Sequence, residues 1–119
     1  MTDDRPVIDQ AAIDRLLEMT GGDPEFLREL ITTYLEDGAS QLDAMREAIA
    51  QSDAEALVRP AHSLKSNSAS MGADHLGMLC RDLEADARAG RLAGAAERVA
   101  EASAEFDRVR VALDAGAGA

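Results

Sequence analysis

The sequence predicts an all-helical domain, and three observations carry that prediction. The composition has 3% aromatic residues, three prolines and no tryptophan, and its abundant Ala, Leu, Glu and Arg favour helices over sheets. Apolar residues recur every three or four positions along most of the chain, the period of a helix that buries one face. Acidic residues and proline stand where such stripes begin, and glycine where they end, as helix caps require.

Taken in order, Met1 to Val7 are polar, include Pro6 and read as a flexible arm, so the helical domain is expected over residues 8–114. Asp9 is placed to cap a first helix through Met19, whose stripe of Ile8, Ala12, Ile13, Leu16 and Leu17 stops at Gly21-Gly22. Asp23-Pro24-Glu25 then combines a cap, a first-turn proline and an acidic residue for the positive helix end. The stripe Leu27, Leu30, Ile31, Tyr34, Leu35, Leu42, Met45 and Ile49 makes this the longest helix. Gly38 interrupts it at a cost of about 1 kcal/mol relative to alanine, so either the helix bends there or another backbone passes close.

Ser52-Asp53-Ala54-Glu55 restarts the chain with a cap and an acidic first turn, closing a tight hairpin onto a third helix that ends near Gly72. Pro60 lies inside that helix, removes the bond to Ala56 and is expected to kink it. Asp74 is expected to cap a fourth helix, with Leu76, Leu79, Cys80, Leu83 and Ala87 on one face and Gly90 as terminator. A fifth runs from about Leu92 to Leu113, with Val99, Ala102, Phe106, Val109 and Leu113 inward, and residues 115–119 form a disordered tail. Four long helices with short connections pack most simply as an antiparallel up-down-up-down four-helix bundle, with the short first helix over one end.

The 119 residues suffice for one core but not for a catalytic domain plus a second module. The net charge of −11 repels phosphate-rich partners, so nucleic acid and anionic membranes are not expected partners. The single cysteine, Cys80, has no intramolecular disulfide partner, and the Met1-Thr2-Asp3-Asp4 start has no basic region or apolar signal core. A cytoplasmic, stand-alone monomer is the expectation.

Against that background one residue points the wrong way for a core helix. At about 100° per residue, Leu57, Ala61, Leu64, Ser68 and Met71 share one arc of the third helix and His62 points away from it, into solvent. Val58, Arg59, Lys65, Ser66 and Ala69 surround it at helical spacing. Ser66 and Ala69 are small enough to admit another molecule, and Arg59 and Lys65 place positive charge on either side. Counting back across the preceding turn sets Asp37, Gly38 and Gln41 level with His62, so they are expected to line the same dock for an anionic group.

The pattern His62-x-Leu64-Lys65-x-Asn67-Ser68-x-x-Met71-Gly72-Ala73, preceded by Gly22-Asp23-Pro24-Glu25-Phe26-Leu27 and followed by Leu79-Cys80-x-x-Leu83-Glu84, resembles the histidine-containing phosphotransfer (HPt) family of two-component phosphorelays. The resemblance spans about Ile8 to Leu113. It implies that His62 accepts a phosphoryl group from the aspartate of one receiver domain and passes it to that of another, with Lys65 as the cation beside the phosphorylated ring. It also implies partners among the receiver domains of response regulators or hybrid histidine kinases, with Mg²⁺ held by the receiver and no cofactor or metal of the chain's own. Val58, Arg59, Ser66, Ala69 and Gln41 are the expected docking residues. Ser66 stands where the family most often has glycine.

The residue chemistry agrees with this reading. Neutral imidazole is well populated near neutral pH and can hold a phosphoryl group covalently, splitting one transfer into two. Such transfer depends chiefly on in-line positioning and charge neutralisation. No glycine-rich phosphate loop is present, so no kinase activity is expected. Glu-x-x-His pairs are also missing, which disfavours a di-metal site. His75 and Cys80 read as structural. The alternative from another class is a non-catalytic helical adaptor that binds receivers without exchanging phosphate, a possibility kept open by Ser66 and Pro60.

Overall fold

The computed structural model describes residues 7–117. Five helices follow one another: α1 (Gln10–Met19), α2 (Pro24–Ala50), α3 (Ala54–Ser70), α4 (Asp74–Arg88) and α5 (Ala95–Ala117). Among the described residues there is no strand.

The first three helices begin where their capping residues stand. The carboxylates of Asp9, Asp23 and Asp53 accept from the free amides of Ala11, Glu25 and Ala56 at 3.1, 3.0 and 3.1 Å, each satisfying a donor that the helix itself leaves open. The fourth differs from expectation, since Asp74 is its first helical residue and the cap position belongs to Ala73, which offers no side-chain bond. The cause lies in how α3 ends. Gly72 turns the chain at φ +80° and the Ala73 amide reaches back to the Ser68 carbonyl at 2.8 Å, a left-handed helix stop after which the next helix starts one residue earlier than expected.

The start of α5, by contrast, is later than the apolar stripe suggested. Gly94 adopts φ +76° and the Ala95 amide bonds to the Leu92 carbonyl at 3.0 Å, so Leu92 belongs to the connection. At its other end α5 continues to Ala117, past the boundary at 114. Helix, not a disordered tail, occupies residues 115–117, while residues 118 and 119 lie outside the described residues. Of the expected arm, residues 1–6 also lie outside them, and Val7 packs half-buried against the core.

Helices α2, α3, α4 and α5 pack in a closed cycle, each touching the next and α5 returning to α2, while α1 rests on α2. Met45, Leu57, Leu64, Leu76, Leu83, Val109 and Leu113 are fully buried at the centre, and each such side chain contributes about 1.5–3 kcal/mol by leaving water. Inside this core Tyr34 Oη and Ser68 Oγ share a hydrogen bond of 2.8 Å, which satisfies two buried hydroxyls and fixes the register of α2 against α3. Pro60 is buried within an unbroken α3. Gly38 is buried against the Phe106 ring of α5, so it faces the core and does not line a dock beside His62. The start of α1 is pinned to the α3–α4 turn, where the Asp9 amide donates to the Gly72 carbonyl at 2.8 Å.

Candidate functional site

On α3, Leu57, Ala61, Leu64 and Ser68 take the inward positions and are each 0% exposed, which turns His62 outward. Its side chain keeps 54% of its surface in solvent. The ring is nevertheless anchored on one side, because its Nδ1 lies 3.0 Å from Oε2 of Glu84 on α4. His62 and Glu84 lie equally far along the chain from Ala73 in the α3–α4 turn, so the hairpin brings them level. Close packing makes the span short. A Cβ at Gly77 would stand 3.6 Å from the Lys65 carbonyl oxygen, in ordinary van der Waals contact.

Glu84 is the unexpected centre of the site. It is a buried carboxylate, 6% exposed, and a charge so placed is tolerated only when paired. The Lys65 ammonium lies 2.7 Å from Oε1, and the Arg88 guanidinium donates through Nε and Nη2 to Oε2 at 2.9 and 2.8 Å. The Lys65 ammonium paired with it, with smaller help from Arg88 and His62, outweighs the desolvation that opposes ionisation and holds the Glu84 carboxyl down at about 2. At neutral pH it is therefore a fixed negative charge. It orients the imidazole, and with Nδ1–H donated to it the Nε2 lone pair is left on the outer side of the ring.

The residues singled out from the sequence fall into three groups. Lys65, one-third exposed, sits in the site with its ammonium on Glu84. Ser66 and Ala69 are exposed on α3 beyond His62, and Gln41 is half-buried on α2. Val58 and Arg59 lie a turn before His62 on the rim of a groove between α3 and α4, which Glu55, Ala87 and Arg88 also line. Glu84, quoted in the sequence pattern without a role, and Arg88, not singled out, are the residues that the structure adds beside His62. The signal was present, since the count across the α2–α3 turn that picked out Gln41, repeated across the α3–α4 turn, arrives at Glu84.

His75 is half-buried with Nδ1 enclosed and without a hydrogen-bond partner among the described residues. Cys80 is fully buried, and burial pushes its thiol up to about 12, so it offers no thiolate at neutral pH. Among the described residues no group of three or more His, Cys, Asp or Glu side chains is placed to hold a metal ion. None of the described helices is long and apolar enough to cross a membrane.

Comparison with known proteins agrees with this fold. The family model of the Hpt domain matches residues 29–112. The crystal structure of histidine-containing phosphotransfer protein B (HptB) from Pseudomonas aeruginosa PAO1 superimposes with a TM-score of 0.88 at 30% sequence identity, covering 95% of this chain and 96% of that one. The search of curated proteins gave no match.

Proposed function

Because this chain belongs to the Hpt domain family and serves as a histidine phosphotransfer relay in two-component signalling, we propose that His62 is the residue that carries the phosphoryl group. The observation behind this assignment is the pairing of an exposed imidazole with a buried carboxylate. Glu84 takes the ring through Nδ1 at 3.0 Å, and Nε2 is the nitrogen free to attack.

In the forward step the Nε2 lone pair forms the N–P bond while the P–O bond to the receiver aspartate breaks, returning that carboxylate. The second transfer reverses the chemistry onto another receiver. Lys65 and Arg88 both hold Glu84 in place, and in this reading Lys65 also lessens the charge that builds up on the phosphoryl group during transfer. Mg²⁺ is the receiver's contribution, and the chain needs no cofactor of its own.

Receivers dock, in this proposal, over the face bearing Val58, Arg59, Ser66, Ala69 and Gln41. Ser66 and Ala69 are small and exposed, which lets a partner's backbone approach the imidazole. We read the cycle of α2, α3, α4 and α5 as the up-down-up-down antiparallel bundle, and the protein as a cytoplasmic monomer whose contacts with receivers are transient. The direct test is transfer of labelled phosphate from a phosphorylated receiver to wild-type protein and to the variant His62→Gln.

A further inference from the structure

We infer that the groove between α3 and α4 selects the receiver, seating one acidic side chain of the docked partner on Arg59 while Glu55, one turn further from His62, turns a second acid away. This rests on receivers docking around His62 and extends that reading to the chemistry by which one receiver is preferred over another.

The groove has an apolar floor of Ala54, Val58 and Ala87, with Glu55, Arg59 and Arg88 on its rim. It opens at Gly90, where even an added Cβ would meet nothing. Of the floor residues Ala87 is buried and the other two are half-buried, whereas the three charged residues are exposed. So open a groove does not enclose a small molecule, which needs most of its own surface covered. It suits a side chain projecting from a protein, with the apolar stem on the floor and the polar head at the rim.

The rim charges determine which head fits. Arg88 is committed within the chain, since its Nε and Nη2 both donate to Glu84 Oε2. Arg59 has no ion pair among the described residues, although Glu55 precedes it by one turn in the order that favours a helix pair. Its guanidinium is therefore open to a partner's carboxylate, which it can hold through two parallel hydrogen bonds. On a chain of net charge −11, an acid of the partner is repelled over most of the surface and gains where an unpaired cation stands. Because Arg59 lies one turn before His62, the acid it holds sets the partner's register against the imidazole. A further acid one turn along would face Glu55, so attraction and repulsion together define the preferred receiver.

The experiment uses the full chain and the phosphorylated receiver domain that labels it fastest among those of the source organism. Transfer to wild type, Arg59→Ala and Arg59→Glu is followed over a range of receiver concentrations, with circular dichroism on each sample. Arg59→Ala keeps the test valid if charge reversal beside Glu55 weakens the helix. KM should rise about threefold for Arg59→Ala and about tenfold or more for Arg59→Glu, with the rate at saturating receiver within about twofold of wild type. Added salt should raise the wild-type KM more steeply than that of Arg59→Ala. Acidic residues of the receiver are then changed to lysine one at a time, and one such change should lower the KM of Arg59→Glu while raising that of wild type. Glu55→Gln should narrow the spread of KM values across the organism's receivers, and an unchanged spread removes Glu55 from the selection.

A KM indifferent to Arg59 overturns the inference, as does a receiver on which no charge reversal restores Arg59→Glu. A loss confined to the saturated rate overturns it too, because Arg59 would then act on the phosphoryl group and not on the partner. Absence of labelling in wild type would defeat this inference together with the assignment of His62, whereas labelling with an unchanged KM in both Arg59 variants defeats this inference alone.

Discussion

Gly38 of α2 stands directly against the ring of Phe106 on α5, and a Cβ placed on Gly38 would come 2.4 Å from Cε1 and 2.7 Å from Cζ. The neighbour that passes close is thus an aromatic side chain and not a backbone. The ring is 6% exposed and packs against Tyr34 with centroids 6.1 Å apart, so it has little room to retreat. In a solvent-facing helix interior, Gly→Ala stabilises by about 1 kcal/mol. Here Gly38→Ala should instead destabilise by about 1–3 kcal/mol through overpacking. Denaturant unfolding of the single variant and of Gly38→Ala with Phe106→Leu checks this, because the smaller partner should recover much of the loss.

In the proposed transfer Lys65 acts through charge and through Glu84, on which its ammonium lies. Its side chain is one-third exposed, so Lys65→Ala should leave helical content intact while slowing transfer between receivers by about 10-fold, the order of one lost charge contact to a reacting phosphoryl group. Transfer kinetics with circular dichroism on the same sample test it. Unchanged kinetics would remove Lys65 from the site chemistry.

The stability of the fold should fall in acid in a way that traces to Glu84. Its folded value of about 2 lies below the ordinary 4.5, so the unfolded chain takes up the proton first. The contribution is fully present above about 4.5 and is lost as the pH falls towards about 2. The difference in denaturant midpoint between wild type and Glu84→Gln should therefore shrink across that interval. A difference that stays constant would show that the carboxylate is not held by its cations.

Cys80 should resist alkylation in the native protein. It is 0% exposed and its thiol is pushed up to about 12 by burial. Iodoacetamide modification should proceed only as fast as the chain opens, and should become rapid in denaturant. Quick modification without denaturant would contradict the packing described for α4.

Much of this was legible from residue order, because helix caps and stripes are local. Asp9, Asp23 and Asp53 cap helices as their positions suggest, and Leu57, Leu64, Leu76 and Leu83 are buried as their spacing requires. His62 was legible too, as the residue that breaks the apolar stripe of α3. Glu84 was legible only by counting across the α3–α4 turn, because its partners Lys65 and His62 sit on a different helix and nothing in α4 alone distinguishes a buried carboxylate from a solvated one. Gly38 failed for the same reason, since the ring that requires a glycine there comes from α5. Ala73 and Gly94 moved helix boundaries through backbone turns with positive φ next to or at them, which periodicity does not report.

The central claim is that His62 carries the phosphoryl group. Wild-type protein incubated with a phosphorylated receiver and Mg²⁺ should acquire phosphate that is labile in acid and stable in alkali, as a phosphorus–nitrogen bond requires, and His62→Gln should acquire none while still folding and still binding the receiver. Equal labelling of His62→Gln would place the phosphoryl group elsewhere. A wild-type protein that binds the receiver but stays unlabelled would mean that it serves as an adaptor.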